Sequence, residues 1–357
     1  MAVGGAFPQS QQDAKAAFLG LGNGCCAMHY FPVTSLAKHG IVVTSLGCAA
    51  TCSWLRKMRS AGEKEDPMDI TNAVILGLIQ GLAEFLPISS SGHLNLAQAL
   101  PDVNVVNTEH QLLFNILLHV GTLLPVLVVF WKDWWRMLRH PIRNNTLLLL
   151  IIATVPAFAV KLLSMMVPAV KAILQPFETG TALLGACFLF TGLLLLLTQG
   201  IARRRERQDR RDRQTRKPHR KPGVWNAIVM GCMQAVGIPA GVSRSGSTIF
   251  GGVASGLSRE TAARFSFMMS VPAILGALIV EGYGAVSERG FEAFLAGIQA
   301  ELVPIAVGVG VAAISGYLAI RLMLKTITKA SLVWFALYVI LLGIAVIVMR
   351  SLNILTV

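Results

Sequence analysis

The stretch Gln80-Gly81-Leu82-Ala83-Glu84-Phe85-Leu86-Pro87-Ile88-Ser89-Ser90-Ser91-Gly92-His93 decides how the chain is read. The run from Ile70 to Leu86 reads as a helix that Pro87 ends, because proline disfavours the helical region for the residue before it. Glu84 lies inside this apolar run, where an intramembrane acid costs roughly 2.5–3.5 kcal/mol. Gln80 sits four residues earlier on the same helix face. After the break, Ser89, Ser90, Ser91 and Gly92 can present N–H groups and hydroxyls to an anion at the mouth of the next helix, which His93 opens. A buried acid, a histidine and an anion-cradling turn this close together point to acid/base work on a phosphate. Taken alone, the serines also read as an ordinary turn and His93 as a helix cap. A partner motif later in the chain decides between the two.

Hydrophobic residues make up 54% of the 357-residue chain and charged residues 14%, and apolar stretches of about twenty residues recur. This is the composition of a polytopic helical membrane protein and excludes a soluble enzyme. The net charge of +13 requires no nucleic acid, because the basic residues cluster between apolar runs, as the positive-inside rule expects. Six cysteines occur, and Cys25, Cys26, Cys48 and Cys52 form no paired metal-type spacing. Cys187 and Cys232 lie in apolar runs and act there as small hydrophobes.

Residues 1–67 lack a clear period, and their one apolar patch, Gly40 to Leu55, precedes its basic residues instead of following them, unlike a secretory signal. They are expected to be an N-terminal extension: disordered, an atypical anchor, or upstream of a true start at Met68. From Met68 the pattern is regular. Leu112–Trp131, Leu147–Val167, Thr181–Gly200, Ala262–Val280, Leu302–Ile320 and Leu332–Met349 give about six full spans by the twenty-residue criterion. Lys132, Arg136, Arg139 and Arg143, the run Arg203 to Lys221, and Arg321, Lys325 and Lys329 are expected to face the cytoplasm. The base-poor loops Lys171–Glu178 and Glu281–Glu301 are expected outside. Both ends of the core then lie outside, on the side where Arg56, Lys57 and Arg59 do not belong.

The partner motif emerges from an internal repeat. Shifted by 154 positions, Asn72-Ala73-Val74-Ile75-Leu76-Gly77-Leu78-Ile79-Gln80 superposes on Asn226-Ala227-Ile228-Val229-Met230-Gly231-Cys232-Met233-Gln234, and Ser89, Ser91 and Gly92 fall on Ser243, Ser245 and Gly246. The domains expected are residues 1–67 as the extension, 68–200 as the first repeat, 201–223 as a basic cytoplasmic linker and 224–357 as the second repeat. The first copy begins outside and the second inside, so the repeats are inverted, and broken helices in matching positions mark a site near the midplane. Ile70–Leu86 breaks at Pro87 and Val224–Ile238 at Pro239-Ala240-Gly241. The fold class is therefore all-α polytopic membrane protein, an inverted-topology repeat with two re-entrant helical hairpins whose tips meet. The second copy carries Arg244, whose planar fork suits phosphate oxygens, flanked by Ser243, Ser245, Gly246 and Thr248. The plainer alternative is that Arg244 only pairs with Glu84, but a pair alone leaves the serines and His93 without a role.

On these residues the sequence resembles the undecaprenyl-diphosphate phosphatases of the bacitracin-resistance type. Gln80 and Glu84 meet the family's Glu-or-Gln, three residues, Glu pattern, followed by Phe85 to His93. Gly241 to Thr248 meets its Gly-x-Ser-Arg-Ser-Gly-x-Thr signature, and Phe114 with Leu117 to Leu124 looks like its following helix. Gln80 stands where some members carry a second glutamate, and Ala240 where a proline often precedes the glycine. The resemblance implies a hydrolase that removes the terminal phosphate of a polyprenyl diphosphate lipid and so recycles the cell-wall lipid carrier. It implies Glu84, His93 and Arg244 as catalytic residues. Ser89, Ser90, Ser91, Ser243, Ser245, Gly246 and Thr248 become phosphate ligands, and a divalent cation, Mg2+ or Ca2+, is held by Glu84 and Gln80. The expected setting is the bacterial inner membrane, with the site opening to the periplasmic side and self-association into a homo-oligomer admitted. The rival function is a polyprenyl-phosphate transporter or flippase, which shares this architecture.

Overall fold

The first helix ends where Pro87 requires. In the computed structural model, which describes residues 69–99, 108–140, 145–178, 183–211, 221–327 and 331–352, α1 (Ile70–Phe85) is capped by Asp69, whose side chain accepts from Thr71 N at 3.3 Å. It stops at Leu86, held extended at φ −73°, ψ 142°, as the residue before proline should be. The expectations for residues 1–67 lie outside the described residues.

The first repeat continues with α2 (Ser90–Gln98), α3 (Thr108–Val129), α4 (Trp131–Arg139), α5 (Thr146–Met166), α6 (Pro168–Glu178) and α7 (Leu184–Arg211). The second comprises α8 (Val224–Val236), α9 (Arg244–Ala254), α10 (Arg259–Arg289), α11 (Phe291–Ala300), α12 (Leu302–Thr326) and α13 (Val333–Ser351). Among the described residues all regular structure is helical. Among the described residues five helices are long and apolar enough to cross a membrane, and α3 with α4 makes a sixth span if the bent pair is counted as one.

Several boundaries differ from the sequence reading. The span expected over Leu112–Trp131 stops at Val129, and α4 leaves it at 79°. A span expected over Thr181–Gly200 runs on as α7 to Arg211, so the first part of the expected 201–223 linker is helix. Arginine is a good helix former, and Arg205 is anchored on the carbonyls of Val253 and Ala254 at 2.5 and 3.2 Å. The expected outer loops are largely helical too, as α6, the end of α10, and α11.

The halves are exchanged in space. α1 packs most extensively on α12, and its counterpart α8 on α5, so each short helix lies on a span supplied by the other repeat. Matching glycines permit the close crossings. A Cβ on Gly77 would come 2.6 Å from the carbonyl oxygen of Gly308, and one on Gly231 would come 2.5 Å from that of Ala153. α7 and α13, also counterparts, pack on each other. Three candidate spans, counting the bent pair α3–α4 as one, separate the two broken hairpins, an odd number that inverts the second against the first. Both breaks are buried, with Ser89 3% and Ser243 1% exposed, as irregular backbone at membrane depth demands.

Gly77→Ala or Gly231→Ala should therefore destabilise the detergent-solubilised protein by about 1–3 kcal/mol through overpacking. Thermal unfolding that is unchanged in both variants would contradict the crossing geometry.

Candidate active site

The two hairpin tips meet with the same local construction. Ser89 caps α2 by accepting from Gly92 N at 3.3 Å, and Ser243 caps α9 by accepting from Gly246 N at 3.0 Å. A second hydroxyl lies beside each cap, Ser91 at 3.4 Å from Ser89 and Ser245 at 3.2 Å from Ser243. Ser89 has φ +73°, and among the described residues no other non-glycine residue has positive φ. Such backbone is strained and persists where the surroundings fix it. The second turn uses Gly241 at φ +89°, pinned by the Thr191 hydroxyl, which donates to the Gly241 carbonyl and accepts from Ser243 N, both at 2.9 Å.

Across the junction, Arg244 Nη2 donates to Glu84 Oε1. Glu84 Oε2 accepts from Gln80 Nε2 at 3.0 Å and from the Ser90 hydroxyl at 2.6 Å. The Ser245 hydroxyl donates to the Leu86 carbonyl at 3.2 Å, which ties the tips together. The Glu84 side chain is 4% exposed and that of Arg244 23%, so the arginine is the more accessible partner. Thr248 faces inward: its hydroxyl donates to the Arg244 carbonyl at 2.9 Å and lies 2.6 Å from that of Ser266.

A cavity of about 500 Å3 opens over this junction. It is lined by Glu84, Ser89, Ser90 and Ser91 from one tip and by Ser243, Arg244 and Ser245 from the other. The wall opposite is apolar, built from Phe158 on α5 and Ile274, Ala277 and Val280 on α10. A polar floor that suits an anion thus faces a wall that suits a hydrocarbon chain.

His93 stands apart from this group. Its Nδ1 bonds the Ser89 carbonyl at 2.7 Å and its Nε2 the Tyr338 hydroxyl at 2.8 Å. The ring stacks on Tyr338 and meets the edge of Phe188, so it is turned toward α13 and α7 and lies outside the cavity lining. The histidine on the cavity wall is His119, within electrostatic reach of Glu84. Its Nδ1 lies 2.7 Å from the Asn115 carbonyl and donates to it, so in the neutral ring Nε2 is the acceptor. Lys161 and Glu281 also line the cavity, 3.7 Å apart. An ionisable residue inside a span is itself a signal of function, and that signal marks all three.

For a divalent cation, the donors here are hard oxygens: the Glu84 carboxylate and Gln80 Oε1, a buried atom with no hydrogen-bond partner. Gln234, the repeat counterpart of Gln80, likewise has a buried, unpartnered Oε1 and lines the cavity. Among the described residues no three His, Cys, Asp or Glu side chains converge. The set therefore fits an ion that shares its coordination with phosphate oxygens, in the manner of Mg2+, better than a closed protein cage.

The family profile described as bacitracin resistance protein BacA matches residues 73–345. The chain belongs to this family. It is 38% identical over 284 residues to the undecaprenyl-diphosphatase of Carboxydothermus hydrogenoformans, covering 80% of this chain and 98% of that one. Identity to the undecaprenyl-diphosphatase of Halothermothrix orenii is 34% over 285 residues, with 80% and 99% covered. Undecaprenyl-diphosphatase 4 of Bacillus thuringiensis is 34% identical over 283 residues, with 79% and 98% covered. The matched region of this BacA-family chain holds both hairpin tips and every residue lining the cavity.

Because the fork of Arg244 is planar and Glu84 is buried, Arg244→Lys should not restore what Arg244→Ala removes. Both are expected to lower turnover about 100- to 1,000-fold while the proteins stay folded. Near-native turnover by the lysine variant would show that only a positive charge is needed.

Proposed function

We propose that the protein is an integral membrane phosphatase that hydrolyses undecaprenyl diphosphate to undecaprenyl phosphate and inorganic phosphate. The observation that carries this reading is the cavity itself, where a guanidinium, two serine-capped helix starts and a buried carboxylate face an apolar wall. The relatives matched over nearly their whole length bear this activity in their names. Purified full-length protein supplied with the lipid and Mg2+ should release phosphate, and Glu84→Ala should abolish the release. No release by the unmutated protein overturns the reading.

In the proposed mechanism the prenyl chain lies along the α5 and α10 wall and the diphosphate enters over the hairpin tips. Arg244 and the first-turn N–H groups of α2 and α9 bind the terminal phosphate and stabilise the charge that develops on it. In the free site Glu84 occupies Arg244, so an incoming phosphate competes for the same guanidinium and leaves the carboxylate able to take a proton. Ser90, already donating to Glu84, is the placed nucleophile. Its oxygen bonds the terminal phosphorus, its proton passes to Glu84, and the bridging P–O bond breaks to release the lipid monophosphate. Water then attacks the phosphoserine phosphorus, giving its proton to His119 Nε2; the Ser90 Oγ–P bond breaks, Glu84 returns its proton to the departing Ser90 oxygen, and phosphate leaves. His93 is a positioning residue, holding the strained Ser89 through its carbonyl. A divalent cation held by Glu84 and Gln80 would add Lewis-acid polarisation of a phosphoryl oxygen.

The site is proposed to open on the outer face of a bacterial inner membrane. Arg136, Arg264, Arg321 and Lys325 gather at the opposite end of the bundle, where positive-inside bias puts the cytoplasm. Thr146 borders that end and Lys161 the active cavity, about 22 Å further along α5 at the helical rise.

His119→Ala should slow turnover about 100- to 10,000-fold and leave phosphoserine at Ser90 detectable by mass spectrometry of the quenched reaction. His93→Ala is expected to weaken binding and stability together without that accumulation. Turnover untouched by loss of His119 would remove it from the mechanism.

A further inference from the structure

At the end of the bundle away from the catalytic cavity, α4, α5 and α10 enclose a second cavity of about 520 Å3. Three cationic side chains line it, Arg136, Lys221 and Arg264, together with the hydroxyl-bearing Thr146 and Thr261. One carboxylate, Asp133, lies between two of the cations, 3.6 Å from Arg136 and 3.0 Å from Arg264. With both arginines on that one carboxylate, and Lys221 beside them, the group stays net positive. α5 begins at this cavity with no side-chain cap from Asn145, so its positive end adds to the field. The floor is apolar, formed by Met137, Phe265 and Met268.

The approach to this cavity has the character of a membrane surface. α4 turns 79° away from α3 and carries Trp131 and Trp135, 60% and 45% exposed and stacked at 5.7 Å. Arg139 lies 4.6 Å above the Trp135 ring, and Leu138 is 67% exposed. Tryptophan with arginine on a short amphipathic helix across the end of a span is how a chain sits at headgroup depth. A basic pocket between spans at that depth, with an apolar floor, suits a phosphate that carries acyl chains.

We propose that this cavity is a binding site for the phosphate headgroup of an anionic phospholipid, separate from the catalytic cavity. Arg136 and Arg264 take the phosphate oxygens, Lys221 closes the open side, and Trp131 and Trp135, on another face of α4, hold that helix at headgroup depth. The same phosphate chemistry could come from free inorganic phosphate, and the test separates the two sources.

Full-length protein in a neutral detergent is mixed with phosphatidylglycerol, with phosphatidylcholine, or with inorganic phosphate, and bound lipid is read by native mass spectrometry beside thermal unfolding. Phosphatidylglycerol should be retained and should raise the unfolding temperature, with phosphatidylcholine and inorganic phosphate ineffective. In the double variant Arg136→Gln, Arg264→Gln, binding should weaken about tenfold or more. Lys221→Gln alone, at an exposed position, should weaken it by less and provides the comparison if the double variant unfolds early. Equal retention of both lipids, binding unaltered by either set of substitutions, or stabilisation by inorganic phosphate matching that by phosphatidylglycerol would each overturn the proposal. None of these readouts depends on turnover, so the result stands whatever reaction the other cavity performs.

Discussion

The fold depends on a charge that cannot be buried alone. Glu84 sits in the apolar interior at the end of α1, and its counter-charge, Arg244, begins α9 in the other half of the chain. Removing either partner leaves the other stranded in a low-dielectric setting, a cost of roughly 3–5 kcal/mol for a buried pair. The two broken hairpins are therefore bound to meet tip to tip. That meeting encloses the irregular backbone of both breaks, which the bilayer would not otherwise tolerate. One contact thus both closes the fold and faces the cavity, because the guanidinium that neutralises Glu84 also lines it.

Much of this is legible in the sequence because it is locally encoded. Pro87 fixes the end of α1, the 154-residue repeat reveals the second hairpin, and paired Ser-x-Ser-Gly turns mark the two caps. What escapes the sequence depends on distant partners. The ring of His93 is aimed by Tyr338, 245 residues away, so no local pattern could tell that it turns from the cavity. His119 is aimed in by the register of α3, and only its presence within a span hinted at it. The pairing of Arg244 with Glu84 is formed, and Arg244 also borders the cavity, a placement that depends on the meeting of two halves 160 residues apart. The continuation of α7 through its arginines is likewise set by tertiary anchors, the Val253 and Ala254 carbonyls.

Two helices link the parts of the molecule. α5 and α10 begin beside the basic cavity and end beside the catalytic one, each carrying a proline within its span, Pro156 and Pro272. Their apolar residues make the wall along which a hydrocarbon chain can lie. Their polar residues, Lys161 and Glu281, stand at the far end of that wall. Each helix also contacts the opposite half, α5 through α8 and α10 through α3. The cavity over the hairpin tips is accordingly a property of the assembled pair of repeats and not of either one.

The exchange of helices between halves also governs how the protein is made. α1 emerges early from the ribosome, but α12, the span it rests on, is encoded more than 200 residues later, and Arg244 follows Glu84 by 160 residues. At roughly 5–20 residues per second, the first carboxylate waits on the order of ten seconds or more for its arginine. During that interval the first hairpin has neither its counter-charge nor its seat, so it must stay near the water interface or be sheltered by the insertion machinery. Completion of the second half, and not arrival of the first, is the event that gives Glu84 its counter-charge.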